Sequence, residues 1–114
     1  MRWRWALALL CLAGSCSCER DREPAADVQL SAAQARAYQT ICASCHARPG
    51  TGAPLVGDEV AWRERRALGA ETLVARTVNG WRGMPPLGTC GACSETDLRA
   101  LVAYVSGSAA AERR

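Results

Sequence analysis

The chain has 114 residues, enough for one small domain. Its 14 Arg plus Lys against 11 Asp plus Glu give a formal net charge of +3, with no basic block, which argues against a nucleic-acid partner. Phe is absent and only 5% of residues are aromatic, so the core needs a staple or a cofactor for stability.

The first residues read as an address, not as structure. Arg2 and Arg4 are basic, Ala6 to Gly14 form a short apolar run, and Ala13, Gly14 and Ser15 are the small residues a signal peptidase accepts. The run is too short to span a bilayer as a mature helix. Residues 1–15 are therefore expected to be an export signal. Leu12-Ala13-Gly14-Ser15-Cys16 resembles a bacterial lipobox, which makes Cys16 the expected site of lipidation and of a membrane tether. The competing readings are lipidation at Cys18 and plain cleavage to a soluble periplasmic protein. All three export the chain to an oxidising compartment. Residues 16–30, polar, charged and interrupted by Pro24, read as a flexible tether.

The folded domain is expected over residues 31–107. Ser31 with Gln34 three residues on is a capping box that starts the first helix. Ala33, Ala37 and Ile41 recur at four, with Tyr38 beside them, and predict one apolar face. The helix ends in Cys42-Ala43-Ser44-Cys45-His46, the attachment signature of a c-type haem. Two thiols can add to two vinyl groups, and the imidazole can ligate the iron. On a helix the three side chains share one side and can meet one flat ligand. A chance C-x-x-C before a His is the plainer alternative.

Ala47 to Gly57 holds three Gly and two Pro and reads as a loop. Asp58 caps a helix to about Leu68 with Val60, Ala61 and Trp62, and Gly69 breaks it. Ala70 to Val78 is the next helix, with Leu73, Val74, Thr77 and Val78 on one face. Asn79-Gly80 should close it with a left-handed cap. Residues 79–93 are irregular. Ser94 caps the last helix, where Leu98, Leu101, Val102 and Val105 form a clean apolar stripe. Ser106-Gly107 ends it, and residues 108–114 form a frayed tail. The fold class is all-α, about four helices.

Two motifs remain. Met84 is the one thioether left after removal of Met1 with the signal. It stands before Pro85 and Pro86, which hold it away from helical geometry and stiffen its loop. That favours Met84 as a second iron ligand over a filler of a core gap. Cys90-Gly91-Ala92-Cys93 is a second C-x-x-C without a His, for which a disulfide is the default in an exported protein. A four-thiolate zinc site with Cys42 and Cys45, or a thiol–disulfide oxidoreductase pair, are the rival readings.

From about Ala35 to Val105 the chain resembles the class I c-type cytochromes, specifically the cytochrome c5 family. The resemblance rests on Cys42 to His46, Gly52-Ala53-Pro54, Gly57-Asp58 with Trp62 and Arg65, Asn79-Gly80-Trp81, Met84-Pro85-Pro86-Leu87-Gly88 and Cys90-Gly91-Ala92-Cys93-Ser94, in that order. It implies a cytochrome c fold wrapped around one covalent haem c, held by thioethers to Cys42 and Cys45. It implies His46 and Met84 as axial ligands, a Cys90–Cys93 disulfide, and crossing first and last helices with Tyr104 between them. The Pro54 carbonyl would accept the His46 ring N–H. Trp62, Arg65 and Trp81 would lie near the haem carboxylates, against the plainer reading of core rings and a solvated cation. The implied function is periplasmic transfer of single electrons between respiratory redox proteins, such as a terminal oxidase or reductase, with no substrate chemistry. The alternative is a five-coordinate haem protein that binds gas or peroxide, which requires Met84 off the iron.

Overall fold

A computed structural model of the chain describes residues 28–108. The export signal, Cys16, Cys18, nearly all of the tether and most of the tail lie outside the described residues. Within them the order is α1 (Ala32–Ala37), a π-helical turn (Tyr38–Cys42), α2 (Ala43–His46), α3 (Glu59–Arg66), α4 (Ala70–Asn79), a 3-10 turn (Pro86–Thr89) and α5 (Glu95–Ser106). The first three run on as one helical rod, so four helices are present among the described residues. No described helix is long and apolar enough to cross a membrane.

Both long helical starts are built as their sequences dictate. The Ser31 hydroxyl accepts from the Gln34 backbone N–H, and the Gln34 side chain accepts from the Ser31 N–H. Ser94 and Asp97 form the same reciprocal pair at α5. Gln34 then reaches across 63 residues and donates to Asp97 at 3.0 Å. The two capping boxes are thereby one unit, and the entry points of the first and last helices are fixed against each other.

The rod departs from the expected face. Ala33 is exposed, while Ala37, Tyr38, Cys42 and Ala43 turn inward. From Tyr38 onward the π turn sets the spacing: its wider winding brings residues four and five apart onto one side, where an α-helix would bring those three and four apart. The Thr40 hydroxyl donates to the Arg36 carbonyl (2.9 Å) and Ser44 to the Ile41 carbonyl (2.6 Å), which occupies carbonyls around this widened turn.

Two apolar clusters make the core. Tyr38, Trp62, Leu101 and Val105 form the first, with Ala37, Cys42, Ala43, Val56, Cys93 and Tyr104 packed against it. Tyr38 and Tyr104 meet edge to face with centroids 4.9 Å apart, where α5 crosses the rod. Leu30, assigned by composition to the tether, also packs here, so ordered packing begins before the first cap. The second cluster is Leu73, Val74 and Val102, with Val78 beside it, and joins α4 to α5. Every member of the predicted α5 stripe is buried.

Helix ends carry the remaining ties. Gly107 takes the left-handed conformation (φ 67°, ψ 23°) that closes α5. The Arg66 guanidinium donates to the Ser106 carbonyl at 2.7 Å and pairs with Glu59, placing a cation at the α5 C-terminus. Arg99 bridges Glu71 of α4 and Glu95 of α5. Gly80 ends α4, but with φ 82° and ψ 153° instead of the expected left-handed cap. That region is essentially reserved for Gly.

The linked caps make acid a specific threat. The Ser94 hydroxyl, then the Gln34 amide, then the Ser94 N–H hold the Asp97 carboxyl below the usual Asp range; Arg99 does the same for Glu71. A folded pKa that is depressed contributes stability above the unfolded value, near pH 4, and loses it as pH falls through the folded value. The thermal midpoint, followed by helical circular dichroism, is expected to drop on acidification below about pH 4. In Asp97→Asn it should start lower at pH 7 and fall less steeply. Parallel acid curves would show that Asp97 contributes nothing to the acid response.

Candidate haem site

The site is assembled from the end of the rod and the two irregular segments. His46 closes α2 and is buried; Cys42 is half-buried and Cys45 exposed, and both thiols are free. Burial pushes the Cys42 thiol above its ordinary value, against a smaller opposing effect of a backbone hydrogen bond.

The His46 ring is oriented by the first loop. Its Nδ1 lies 2.7 Å from the Pro54 carbonyl oxygen. A carbonyl only accepts, so Nδ1 carries the proton and Nε2 presents the lone pair that a metal requires. The next two residues are held as well. The Leu55 carbonyl accepts from the Trp62 indole N–H at 2.7 Å, and the Val56 N–H donates to the His46 carbonyl at 2.8 Å. Pro54 and Val56 thus sew the loop back onto the end of the rod, and Leu55 ties it to α3. The rings of Trp62 and His46 lie 6.0 Å apart, centroid to centroid.

Met84 stands on the second irregular segment. Trp81 N–H donates to Met84 O and Met84 N–H donates to Trp81 O, both at 2.9 Å, which closes a two-residue turn. A Cβ on Gly80 would lie 3.0 Å from the Met84 carbonyl oxygen and from the Pro86 nitrogen. A Cβ on Gly88 would lie 3.3 Å from the Met84 methyl. Two glycines therefore give this methionine its room. Arg82, Leu87 and Thr89 also have positive φ, unusual for residues with a Cβ. Cys90, nearly fully buried, is disulfide-bonded to Cys93, with Cα atoms 5.4 Å apart. The bond clips the end of this segment to the start of α5.

The other residues picked from the sequence fall in different surroundings. The resemblance implied that Trp62 reaches a haem carboxylate; an indole has one N–H, and Leu55 holds it here. The Arg65 guanidinium donates to the Ala61 carbonyl of its own helix. Trp81 is 47% exposed, between Arg76 and Arg82. Sequence reasoning took Gly80 as a helix end and Gly88 only as part of the resemblance, and it missed Arg66. The room the two glycines give Met84 could be found only by asking which backbone must pass close to it. Arg66 answers the demand for a donor at the α5 C-terminus.

No group of three or more metal-ligating side chains of the zinc type forms among the described residues. With Cys90 and Cys93 joined to each other, a four-thiolate zinc site is excluded. What remains fits a haem: two free thiols, an imidazole of fixed tautomer and a thioether on a stiffened loop.

Comparison with known proteins agrees. The family described as cytochrome c oxidase, cbb3-type, subunit III matches residues 30–105. Cytochrome c5 of Ectopseudomonas mendocina is 40% identical over 68 residues, 58% of this chain and 78% of that protein. The chain belongs to the cytochrome c5 family of class I c-type cytochromes. Cytochrome c5 of Azotobacter vinelandii is also 40% identical over 68 residues, covering 58% of this chain and 82% of its own. Cytochrome c-555 of Chlorobaculum tepidum is 37% identical over 81 residues, 68% of this chain and 75% of that one. A chain in the crystal structure of an electron transfer complex of nitrite reductase with cytochrome c superposes with a TM-score of 0.62 at 40% identity. The match covers 71% of this chain and 99% of that chain. The fold is the cytochrome c fold, the cofactor is covalent haem c, and the protein is a monohaem electron carrier, not an enzyme.

Proposed function

We propose that the protein carries single electrons between respiratory redox proteins of the periplasm through a His46/Met84-ligated haem c. Cys42 and Cys45 would hold the haem by thioethers, and its iron would supply reversible one-electron chemistry. His46 would be one ligand, its basicity raised by the hydrogen bond its ring donates to the Pro54 carbonyl. Met84 would be the other and would raise the potential. With both protein ligands in place, no position would be left for a substrate. The observation that carries the reading is the pairing of a tautomer-locked imidazole with a thioether to which two glycines give room.

Export is read from residues 1–15 and the lipid tether from Cys16. The partners are redox proteins; the structural neighbour comes from a complex of a cytochrome c with nitrite reductase. A reductase or terminal oxidase is the class of acceptor.

Visible spectroscopy of the holoprotein tests the ligation. The oxidised protein is expected to show the weak thioether-to-iron charge-transfer band, and the reduced protein to leave carbon monoxide unbound. A missing band with ready carbon monoxide binding would establish the gas- or peroxide-binding alternative instead. Mass spectrometry of the exported protein is expected to show one haem and, at Cys16, lipid.

A further inference from the structure

We propose that Trp81, Arg76 and Arg82 form a docking anchor for the carboxylate-rich surface of a redox partner, an inference that rests on the electron-carrier reading with Met84 as ligand. Trp81 is 47% exposed, while the other described indole, Trp62, is buried. The Arg76 guanidinium carbon lies 4.0 Å from the centroid of the Trp81 ring and that of Arg82 5.7 Å. Both are within the range over which a cation is attracted to an indole face. The ion pairs among the described residues use Arg66 and Arg99, not these two. Arg82 is exposed and Arg76 half-buried, and neither is paired with a carboxylate among the described residues.

The result is an apolar plate with two cations against it. Trp and Arg are the residue types that dominate the energetics of protein interfaces. The complement of such a plate is a small apolar contact rimmed by Asp and Glu, which guanidinium groups bind in paired hydrogen bonds. Two cations without a continuing stripe fit a local protein contact better than a nucleic-acid backbone. Position adds to the argument. The Trp81 and Met84 main chains exchange two hydrogen bonds at 2.9 Å, so a partner seated on the indole is held beside the Met84 loop. Arg82 occupies a left-handed turn position (φ 53°) where Gly would be unstrained.

The test uses the full-length holoprotein, an Arg76→Gln/Arg82→Gln double variant and Trp81→Leu. An oligoglutamate peptide is titrated into the reduced protein and the indole N–H resonances are followed. The Trp81 signal is expected to move and that of Trp62, held on Leu55, to stay. The movement should vanish in the double variant and at about 0.5 M salt. In a second measurement, one electron passes from the reduced protein to hexacyanoferrate(III), or to tris(phenanthroline)cobalt(III), reducing either complex by one electron with no proton moved. At low ionic strength the double variant should lose about tenfold in rate with the anionic complex and none with the cationic one. Trp81→Leu should weaken peptide binding while keeping the preference for the anion.

A stationary Trp81 signal together with unchanged rates would overturn the docking anchor. So would a shifted reduction potential in the double variant with its rates intact, because the arginines would then serve the haem carboxylates. Binding to anionic phospholipid vesicles that the double variant loses would replace the protein partner by a membrane. Failure of the ligation reading looks different: wild-type protein would bind carbon monoxide and react slowly with both complexes.

Discussion

Replacing Met84 by Ala is expected to abolish the charge-transfer band of the oxidised protein and to let the reduced protein bind carbon monoxide. The reduction potential should fall by something on the order of 0.1 V, because a thioether ligand raises it and axial ligation is the strongest lever a protein has on a haem. Covalent attachment should survive, since Cys42, Cys45 and His46 lie on the rod and not on the Met84 segment. No second thioether can take over: the chain's only other Met is Met1. The competing role, a half-buried filler, predicts a different pattern. It would cost about 2–5 kcal/mol of stability and leave the spectrum alone. Spectrum and thermal midpoint measured on the same sample separate the two.

Gly80→Ala should be the most damaging small substitution in the described chain. The new methyl would stand 3.0 Å from the Met84 carbonyl oxygen, 3.0 Å from the Pro86 nitrogen and 3.1 Å from Pro86 Cδ. Backbone and a proline ring cannot swing aside as the end of a long side chain can. The conformation itself costs about 1–3 kcal/mol for a residue with a Cβ. Together these predict a loss of roughly 3 kcal/mol, or on the order of 15 °C in melting temperature for a domain this size. The clash falls on the segment that presents Met84, so the charge-transfer band should weaken as well. Gly83→Ala is the control. It lies three residues away, has nothing within 4 Å of its Cβ position and does not have positive φ. Its effect should stay within about 0.5 kcal/mol. Equal melting temperatures for the two variants would remove the steric argument.

The local features of the fold were legible because their signals are local. Ser31 with Gln34, and Ser94 with Asp97, announce helix starts within four residues. Leu98, Leu101, Val102 and Val105 mark a buried stripe within eight. The C-x-x-C-H run and the Met-Pro-Pro segment name the site in the same way. The π turn was hidden, because Ala33, Ala37 and Ile41 at intervals of four fit an ordinary helix; only packing shows that Ala33 faces out. The conformation of Gly80 depends on how closely Met84 and Pro86 pass, which is a tertiary fact. The Gln34–Asp97 bond spans 63 residues, and neither capping box needs it in order to form. Trp81 was singled out by family resemblance, but the two guanidiniums against it follow from the way the chain folds back after α4.

The stitching of Pro54 and Val56 to His46, and of Leu55 to Trp62, bears on speed. A carrier gains or loses one charge at its centre on every exchange, and each bond that must lengthen or swing in response raises the barrier. The His46 imidazole is held by a main-chain carbonyl, and that carbonyl's neighbours are anchored on Trp62 and on the His46 main chain. The groups that hold it, main-chain carbonyls, an amide N–H and an indole N–H, carry no charge to change with oxidation state. With His46 on the iron as proposed, the ring would have little room to shift between oxidation states, and little reorganisation would be left to oppose the electron. Loosening Leu55 through Trp62→Phe, which keeps an apolar ring and deletes the N–H, should slow electron self-exchange while barely moving the potential.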